Sequence, residues 1–294
     1  MLDAFLAPFA FEFFRNGLIV ATLAGALCGL IGVYVVLRSM SYIGHGLAHA
    51  IFGGFAASSL IGVNALLGAG VWGFGAALAI NTVTRRRPIG ADAAIGVITT
   101  ASFAFGLALF AVFGGSGGSF DALLFGSILG VATRDVWLTA ATLALATTVV
   151  IVRYRALAFV TFDAEVAEVS GIRVQRLEAL LMLVLATAIL VTMQILGVTL
   201  IAATLVIPAT VARMVTNSFA RMLWLSTAIG AGCGLVGMIA SYHLNVQSGP
   251  AIVLVGAVLF GLAYAATGSS GRRRTAGLDH PEAAPIRPTP VSMN

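Results

Sequence analysis

The spacing of the charged residues is the strongest constraint on how this chain can fold. Residues 16–37, 93–120 and 222–271 contain no Asp, Glu, Lys or Arg. A helix needs about 20 consecutive apolar residues to cross the hydrocarbon core of a bilayer. The first two runs are long enough for one crossing each, and the third is long enough for two. The chain is therefore predicted to be embedded in a membrane.

The overall composition agrees with that prediction. Hydrophobic residues make up 60% of the chain and charged residues only 9%, whereas soluble domains carry about 25% charged residues. So few charges could not cover the surface of a protein in water. An all-α integral membrane protein with about eight or nine transmembrane helices is therefore expected.

Apolar periodicity and length predict nine spans, whose ends the sequence defines only loosely. They lie at residues 16–37, 41–61, 65–84, 91–113, 136–153, 177–195, 197–214, 222–243 and 249–268. Short arginine clusters follow many of them, and such clusters are typical of cytoplasmic loops. This pattern predicts a cytoplasmic C-terminus and, with nine spans, an N-terminus on the outer side.

The chain divides into three parts. Residues 1–15 are predicted to form an N-terminal interfacial segment, and residues 16–268 the transmembrane domain, with a cytoplasmic segment at 161–176. Residues 269–294 are rich in Gly, Arg and Pro and have no apolar periodicity, so that a disordered cytoplasmic tail is expected.

One stretch, Ala179–Ala212, is long for one crossing and short for two. A full crossing followed by a shorter, broken one is the favoured interpretation. Gly197 and Pro208 are the residues expected to mark the breaks, since Gly ends helices and Pro interrupts them.

The basic residues are all arginine, and the chain contains no lysine. A phosphate-binding loop needs a lysine to reach the β- and γ-phosphates of ATP. The chain is therefore predicted not to be an enzyme, and any ATP hydrolysis must occur in a separate subunit. The high isoelectric point, about 9.9, reflects arginines that flank apolar runs, and it does not indicate a nucleic-acid partner.

Two histidines form the sharpest local feature. His45 and His49 are four residues apart in a predicted span, so that they share one face of a helix. Imidazole is a ligand for zinc, copper, iron and nickel, and ionisable residues inside lipid usually have a function. A pair at this spacing favours metal contact over two separate hydrogen bonds to neighbouring helices.

Two further polar regions allow more than one interpretation. Residues 156–176 are the most polar internal segment; they predict either a short amphipathic helix ending at Gly171 or a solvated loop. His243 and Asn245 lie at the outer end of a span. A turn with incidental polar groups is favoured there, and an outer gate is the alternative.

The order of several motifs resembles the membrane permease subunits of ATP-binding cassette importers for manganese, zinc and iron. The resemblance runs from about Gly17 to Tyr264. The motifs are Arg38–Ala50 (RSMSYIGHGLAHA), Ala91–Thr99 (ADAAIGVIT), Leu124–Leu129 (LFGSIL), Met193–Thr210 with its Gly197–Ile201 and Ile207–Thr210 sections, and Ser241–Leu254.

The resemblance implies a set of partners and a cargo. The partners are a second copy of the chain, two ATP-binding subunits and an extracytoplasmic metal-binding protein, at the inner membrane of a prokaryote. The cargo is a divalent metal ion transported by alternating access, with no cofactor bound covalently. The resemblance also implies that Thr161–Gly171 is the helix that couples the permease to the ATPase, through Phe162, Asp163, Glu165, Val166, Glu168 and Gly171.

The family's metal site uses an Asp and a His four residues apart, and here the chain departs from the pattern. His49 matches the His, but His45 stands where Asp is expected. Two imidazoles favour zinc, whereas Asn245 resembles the manganese members, so that manganese, zinc and iron all stay open. An importer of a metal chelate and a secondary transporter driven by an ion gradient are the alternative functions.

Overall fold

The structure is a computed structural model that describes residues 7–86, 91–113, 124–127 and 130–275. Within these residues every regular element is a helix. After a short 3-10 helix (Ala7–Ala10) come α1 (Glu12–Leu37), α2 (Ser41–Leu60), α3 (Ala65–Arg86), α4 (Ala91–Phe113), α5 (Thr133–Val152), α6 (Tyr154–Phe162), α7 (Ala164–Val169), α8 (Val174–Leu196), α9 (Ile201–Val215), α10 (Phe219–Leu244) and α11 (Ser248–Thr275).

A helix lies at each of the nine predicted spans, and the all-α membrane architecture is confirmed. Six helices are long and apolar enough to cross a bilayer by themselves: α1, α3, α5, α8, α10 and α11. Shorter apolar helices lie within α4 and at α9. Helix α2 has 20 residues, but its Gly, Ser and His residues make it less apolar.

The two predicted breaks differ in outcome. Gly197 ends α8 with a φ of +79°, and a Cβ there would lie 2.4 Å from the carbonyl oxygen of Leu124, so that the break is confirmed. Pro208 lies inside α9, and the break predicted there is wrong. A proline removes only the hydrogen bond to the carbonyl four residues earlier, that of Thr204, and membrane helices tolerate this loss where neighbouring groups compensate.

The most extensive contact between helices joins α1 to α10. A Cβ on Gly25 would lie 2.1 Å from the carbonyl oxygen of Gly230, and one on Gly29 would lie 2.3 Å from that of Ser226. The hydroxyl of Ser226 donates a hydrogen bond of 2.6 Å to the carbonyl of Gly29. Small residues at such spacing let two membrane helices approach backbone to backbone.

These contacts show that α1 and α10 are antiparallel. Near the start of α1, the ring of Phe14 contacts that of Tyr242, with centroids 5.1 Å apart. Near the end of α1, Tyr34 contacts Phe219 at 5.7 Å. The two ends of the bundle are therefore called the Tyr242 end and the Phe219 end.

We expect Gly230→Ala to destabilise the protein by about 1–3 kcal/mol, the usual cost of overpacking, because its methyl group would meet the backbone of α1. Gly232→Ala on the same helix is the matched control, since a Cβ at Gly232 meets no atom within 4 Å. Thermal unfolding in detergent measures both variants. Equal melting temperatures would contradict this account of the contact.

Candidate metal site and coupling surface

Helix α2 brings the two histidines together near its beginning. The chain turns at Arg38–Met40, where Ser39 adopts a φ of +55°, and α2 starts at Ser41. At 1.5 Å per residue, His45 and His49 lie about 6 and 12 Å along the helix. Their Nε2 atoms are 3.0 Å apart, and the two rings meet edge to face.

This separation suits two ligands of a single metal ion. Nitrogens at about 2.0–2.1 Å from an ion, with bond angles between 90° and the tetrahedral 109°, are roughly 2.8–3.4 Å apart. The separation also suits a hydrogen bond between the rings, in which one Nε2–H donates to the other Nε2. Both arrangements need the same two side chains on adjacent turns, as the spacing of His45 and His49 predicts.

Small residues allow neighbouring helices to close around the pair. A Cβ on Gly44 would lie 2.7 Å from the side chain of Leu205 on α9, and one on Gly46 would lie 2.8 Å from that of Ile95 on α4. The ring of Phe103, also on α4, contacts His49 with centroids 4.2 Å apart. Both histidines are half-buried, and the side chains of Leu205, Ile95 and Phe103 around them are apolar.

One atom of the pair has no hydrogen-bond partner. The Nδ1 of His49 is buried and unpaired among the residues that the structure describes. Buried ring nitrogens normally have a partner, and a histidine that binds a metal usually donates its second N–H to a carbonyl or carboxylate. His49 therefore has the capacity to bind a group that the described part of this single chain does not supply.

The ligand set is incomplete within one chain. Across the described ranges, no three residues among His, Cys, Asp and Glu cluster closely enough to hold a metal ion. Two imidazoles of one chain would thus supply only half of a metal site, here called the half-site. A complete coordination sphere needs water, other donor types or a second protein.

The segment predicted to couple to an ATPase forms a short helix, α7. Asp163 begins it, and its Oδ1 accepts a hydrogen bond of 2.9 Å from the N–H of Val166. Gly171 follows its end with a φ of +84°, and the N–H of Gly171 donates to the carbonyl of Glu168. The alternative of an irregular loop is excluded, and the helix ends where the sequence predicts.

Helix α7 and the residues that flank it present an exposed surface. We call it the coupling surface, after the role that the resemblance implies for it; it consists of Phe162, Asp163, Glu165, Val166, Glu168, Val169 and Gly171, all of which are exposed. Val169 is 91% exposed. A surface of carboxylates around bare apolar side chains is typical of a protein contact.

An aromatic cluster connects the coupling surface to the transmembrane helices. The ring of Phe219, the first residue of α10, lies 5.6 Å from that of Phe162 and 5.5 Å from that of Tyr154, on α6. It also contacts Tyr34 on α1. The sequence does not predict a role for Phe219, because an aromatic residue in an apolar chain does not reveal which residues it will contact.

An ion pair joins the turn before α2 to the start of α8. Arg38 donates to a carboxylate oxygen of Glu178, and both side chains are largely buried. Because α8 follows α7 after a few residues, this pair lies between the coupling surface and the helix that carries the histidines. The two residues are 140 positions apart, and the sequence gives no indication that they meet.

The proposed outer gate residues lie at the Tyr242 end. Asn245 ends α10 in the left-handed conformation, with a φ of 52°, and it lines a cavity of about 350 Å³ with Phe13, Gly126, Tyr242 and Gln247. His243 is exposed and contacts the ring of Tyr242. The turn is thus present, and Asn245 also borders an open cavity.

Comparison with known proteins identifies similar sequences over most of the chain. The sequence profile of the ABC 3 transport family matches residues 10–267. The "Manganese transport system membrane protein MntC" of Listeria innocua is 34% identical over 254 residues, which are 86% of this chain and 90% of that protein. The "Probable iron transport system membrane protein" of Haemophilus influenzae is 31% identical over 265 residues, 90% of this chain and 97% of that protein.

A solved structure shares the fold. The structure titled "PsaBC from Streptococcus pneumoniae in complex with Fab" superposes with a TM-score of 0.80 and 32% sequence identity. The match covers 90% of this chain and 95% of the other.

We expect the Arg38–Glu178 pair to have a coupling energy of about 1–3 kcal/mol in a double-mutant cycle, because little water screens it. The cycle comprises Arg38→Gln, Glu178→Gln and the double variant, with thermal unfolding as the measurement. Strictly additive effects would show that the two residues do not interact.

Proposed function

The chain belongs to the ABC 3 transport family and is a membrane permease subunit of an ABC metal importer, and we propose that its cargo is manganese, bound in transit by His45 and His49. The observation that carries the proposal is the 3.0 Å separation of the two Nε2 atoms. The ion-gradient alternative loses its support, since the family's transporters are ATP-binding cassette systems.

A second copy of the chain would supply the ligands that the half-site lacks. A two-fold axis would bring the same two imidazoles to the ion from the other side. The ion would then pass between two permeases, bound only transiently and without a complete coordination sphere of protein ligands. The apolar wall formed by Phe103, Leu205 and Ile95 offers no competing ligand that would trap it.

Manganese is the preferred cargo because a similar protein is named as a manganese transporter. Two imidazoles alone would also suit zinc or iron, and the replacement of the family's Asp by His45 removes a hard oxygen ligand. The manganese relative and the iron relative both match most of the chain. Zinc is therefore the less favoured cargo, and competition among the three ions in an uptake assay distinguishes them.

Energy is proposed to enter through the coupling surface. Two ATP-binding subunits, one for each copy, would seat α7 in a groove, with Val169 as an apolar contact and Glu165 and Glu168 facing basic groups. Movement of α7 would reach α1 and α10 through the contact of Phe162 with Phe219. This arrangement requires the Phe219 end, and the C-terminus with it, to be cytoplasmic.

The Tyr242 end would then face an extracytoplasmic metal-binding protein. The cavity beside Asn245 opens there, and the amide oxygens of Asn245 and Gln247 in its lining would be available to a hydrated ion. Asn245 and His243 are proposed as outer gate residues on that ground.

Removal of the histidines tests the proposed cargo site. We expect His45→Ala, His49→Ala and the double variant to lower manganese uptake at least about tenfold, because each removes a ligand from a site with few. The measurement is radioactive manganese uptake by cells whose only manganese importer contains this chain. His45→Asp, which restores the family's ligand pair, should retain uptake. Wild-type uptake by the double variant at normal expression would refute the proposal.

The contact between Phe162 and Phe219 is tested by the ratio of ions transported to ATP hydrolysed. We expect Phe219→Ala to lower the number of ions moved for each ATP hydrolysed by several-fold, because α6, which leads directly into α7, loses the contact of Phe162 with α10. Transport and hydrolysis are measured together in proteoliposomes that contain the complete importer. Phe159→Ala, on α6 but outside the aromatic cluster, is the matched control. If both variants keep the wild-type ratio, Phe219 does not transmit the movement.

A further inference from the structure

A groove on the outside of the bundle has no place in the transport mechanism. It lies between α1, α5 and α10 at the Phe219 end, has a volume of about 110 Å³, and is lined mainly by apolar side chains. Its walls include Leu30, Val150, Ile151, Tyr154, Leu223 and Trp224. From Ala220 to Thr227 it extends about 10 Å along α10. The groove can hold a segment of one acyl chain.

Two exposed arginines are next in sequence to residues that line this groove. Arg153 lies between the lining residues Ile151 and Tyr154, and Arg221 precedes Trp224 by one turn of α10. Both arginines are exposed. Neither forms a salt bridge within the described residues, where the recorded pair is Arg38–Glu178. Two cations without an acidic partner among the described residues are therefore adjacent in sequence to the lining of an apolar groove.

The aromatic residues fix the depth of this region in the bilayer. Trp224 is 72% exposed, and Tyr154 is half-buried beside it. Tryptophan and tyrosine prefer the level of the lipid headgroups, where an apolar ring meets water. The mouth of the groove thus lies where the phosphate of a phospholipid lies, and its interior lies where the acyl chains begin.

We propose that this groove is a binding site for one anionic phospholipid, with an acyl chain in the furrow and the phosphate held by Arg153 and Arg221. Basic residues at the cytoplasmic edge of membrane helices attract anionic headgroups, and an arginine can hold a phosphate through two parallel hydrogen bonds. A zwitterionic lipid would fill the same furrow, but its cationic headgroup would lie beside two arginines. The site therefore selects for negative charge.

The fluorescence of Trp224 reports directly on the occupant. In a Trp72→Phe, Trp137→Phe background, Trp224 is the remaining tryptophan, since the chain has three. The protein is reconstituted in vesicles of unlabelled phosphatidylcholine. In one series an increasing fraction of this lipid is replaced by brominated phosphatidylglycerol, and in the other by brominated phosphatidylcholine. We expect half-maximal quenching at about a tenfold lower fraction of the brominated phosphatidylglycerol.

Two variants separate the site from general lipid contact. Arg153→Gln with Arg221→Gln should abolish the preference, whereas Arg134→Gln, an exposed arginine at the start of α5, should keep it. Equal quenching by both lipids in the parent protein would overturn the proposal, as would a preference that survives the double variant. Absence of quenching by either lipid would also overturn it, because the groove would then be covered by protein. None of these results depends on metal or ATP.

Discussion

The backbone contact between α1 and α10 is the interaction on which the rest of the arrangement depends. Gly25 and Gly230 leave no space for a side chain, and the two helices therefore run together along the full depth of the bundle. The antiparallel pair fixes the aromatic contact of Tyr34 with Phe219 at one end. At the other end it fixes the contact of Phe14 with Tyr242, beside the open cavity.

The same use of small residues shapes the metal site. In α2, glycines on either side of His45 let α4 and α9 approach, so that the two imidazoles stand in a narrow apolar space. In lipid the hydrophobic effect does not favour association of helices, and their association therefore depends on close van der Waals packing. A path of the proposed kind would offer the ion few ligands, which would favour passage over storage.

Much of this could be predicted from the sequence, and the reasons are physical. A transmembrane span can be predicted from its own residues, because about 20 apolar side chains are needed to cross the bilayer whichever helices are its neighbours. Helices lie at all nine predicted spans. The spacing of His45 and His49 and the turn at Gly171 that follows α7 are likewise set by nearby residues. The break predicted at Pro208 is absent, because the effect of a proline inside a membrane helix depends on which neighbouring groups compensate for the lost hydrogen bond. The partners of Arg38 and Phe219 are set by tertiary packing across long separations, which local patterns do not encode.

Pulsed electron paramagnetic resonance of manganese on the purified importer tests the central claim most directly, because imidazole nitrogens couple magnetically to a bound Mn²⁺ ion. The account predicts a nitrogen coupling in the wild-type complex that disappears when His45 and His49 are both replaced by alanine. A manganese signal with oxygen ligands alone in the wild-type complex would contradict it.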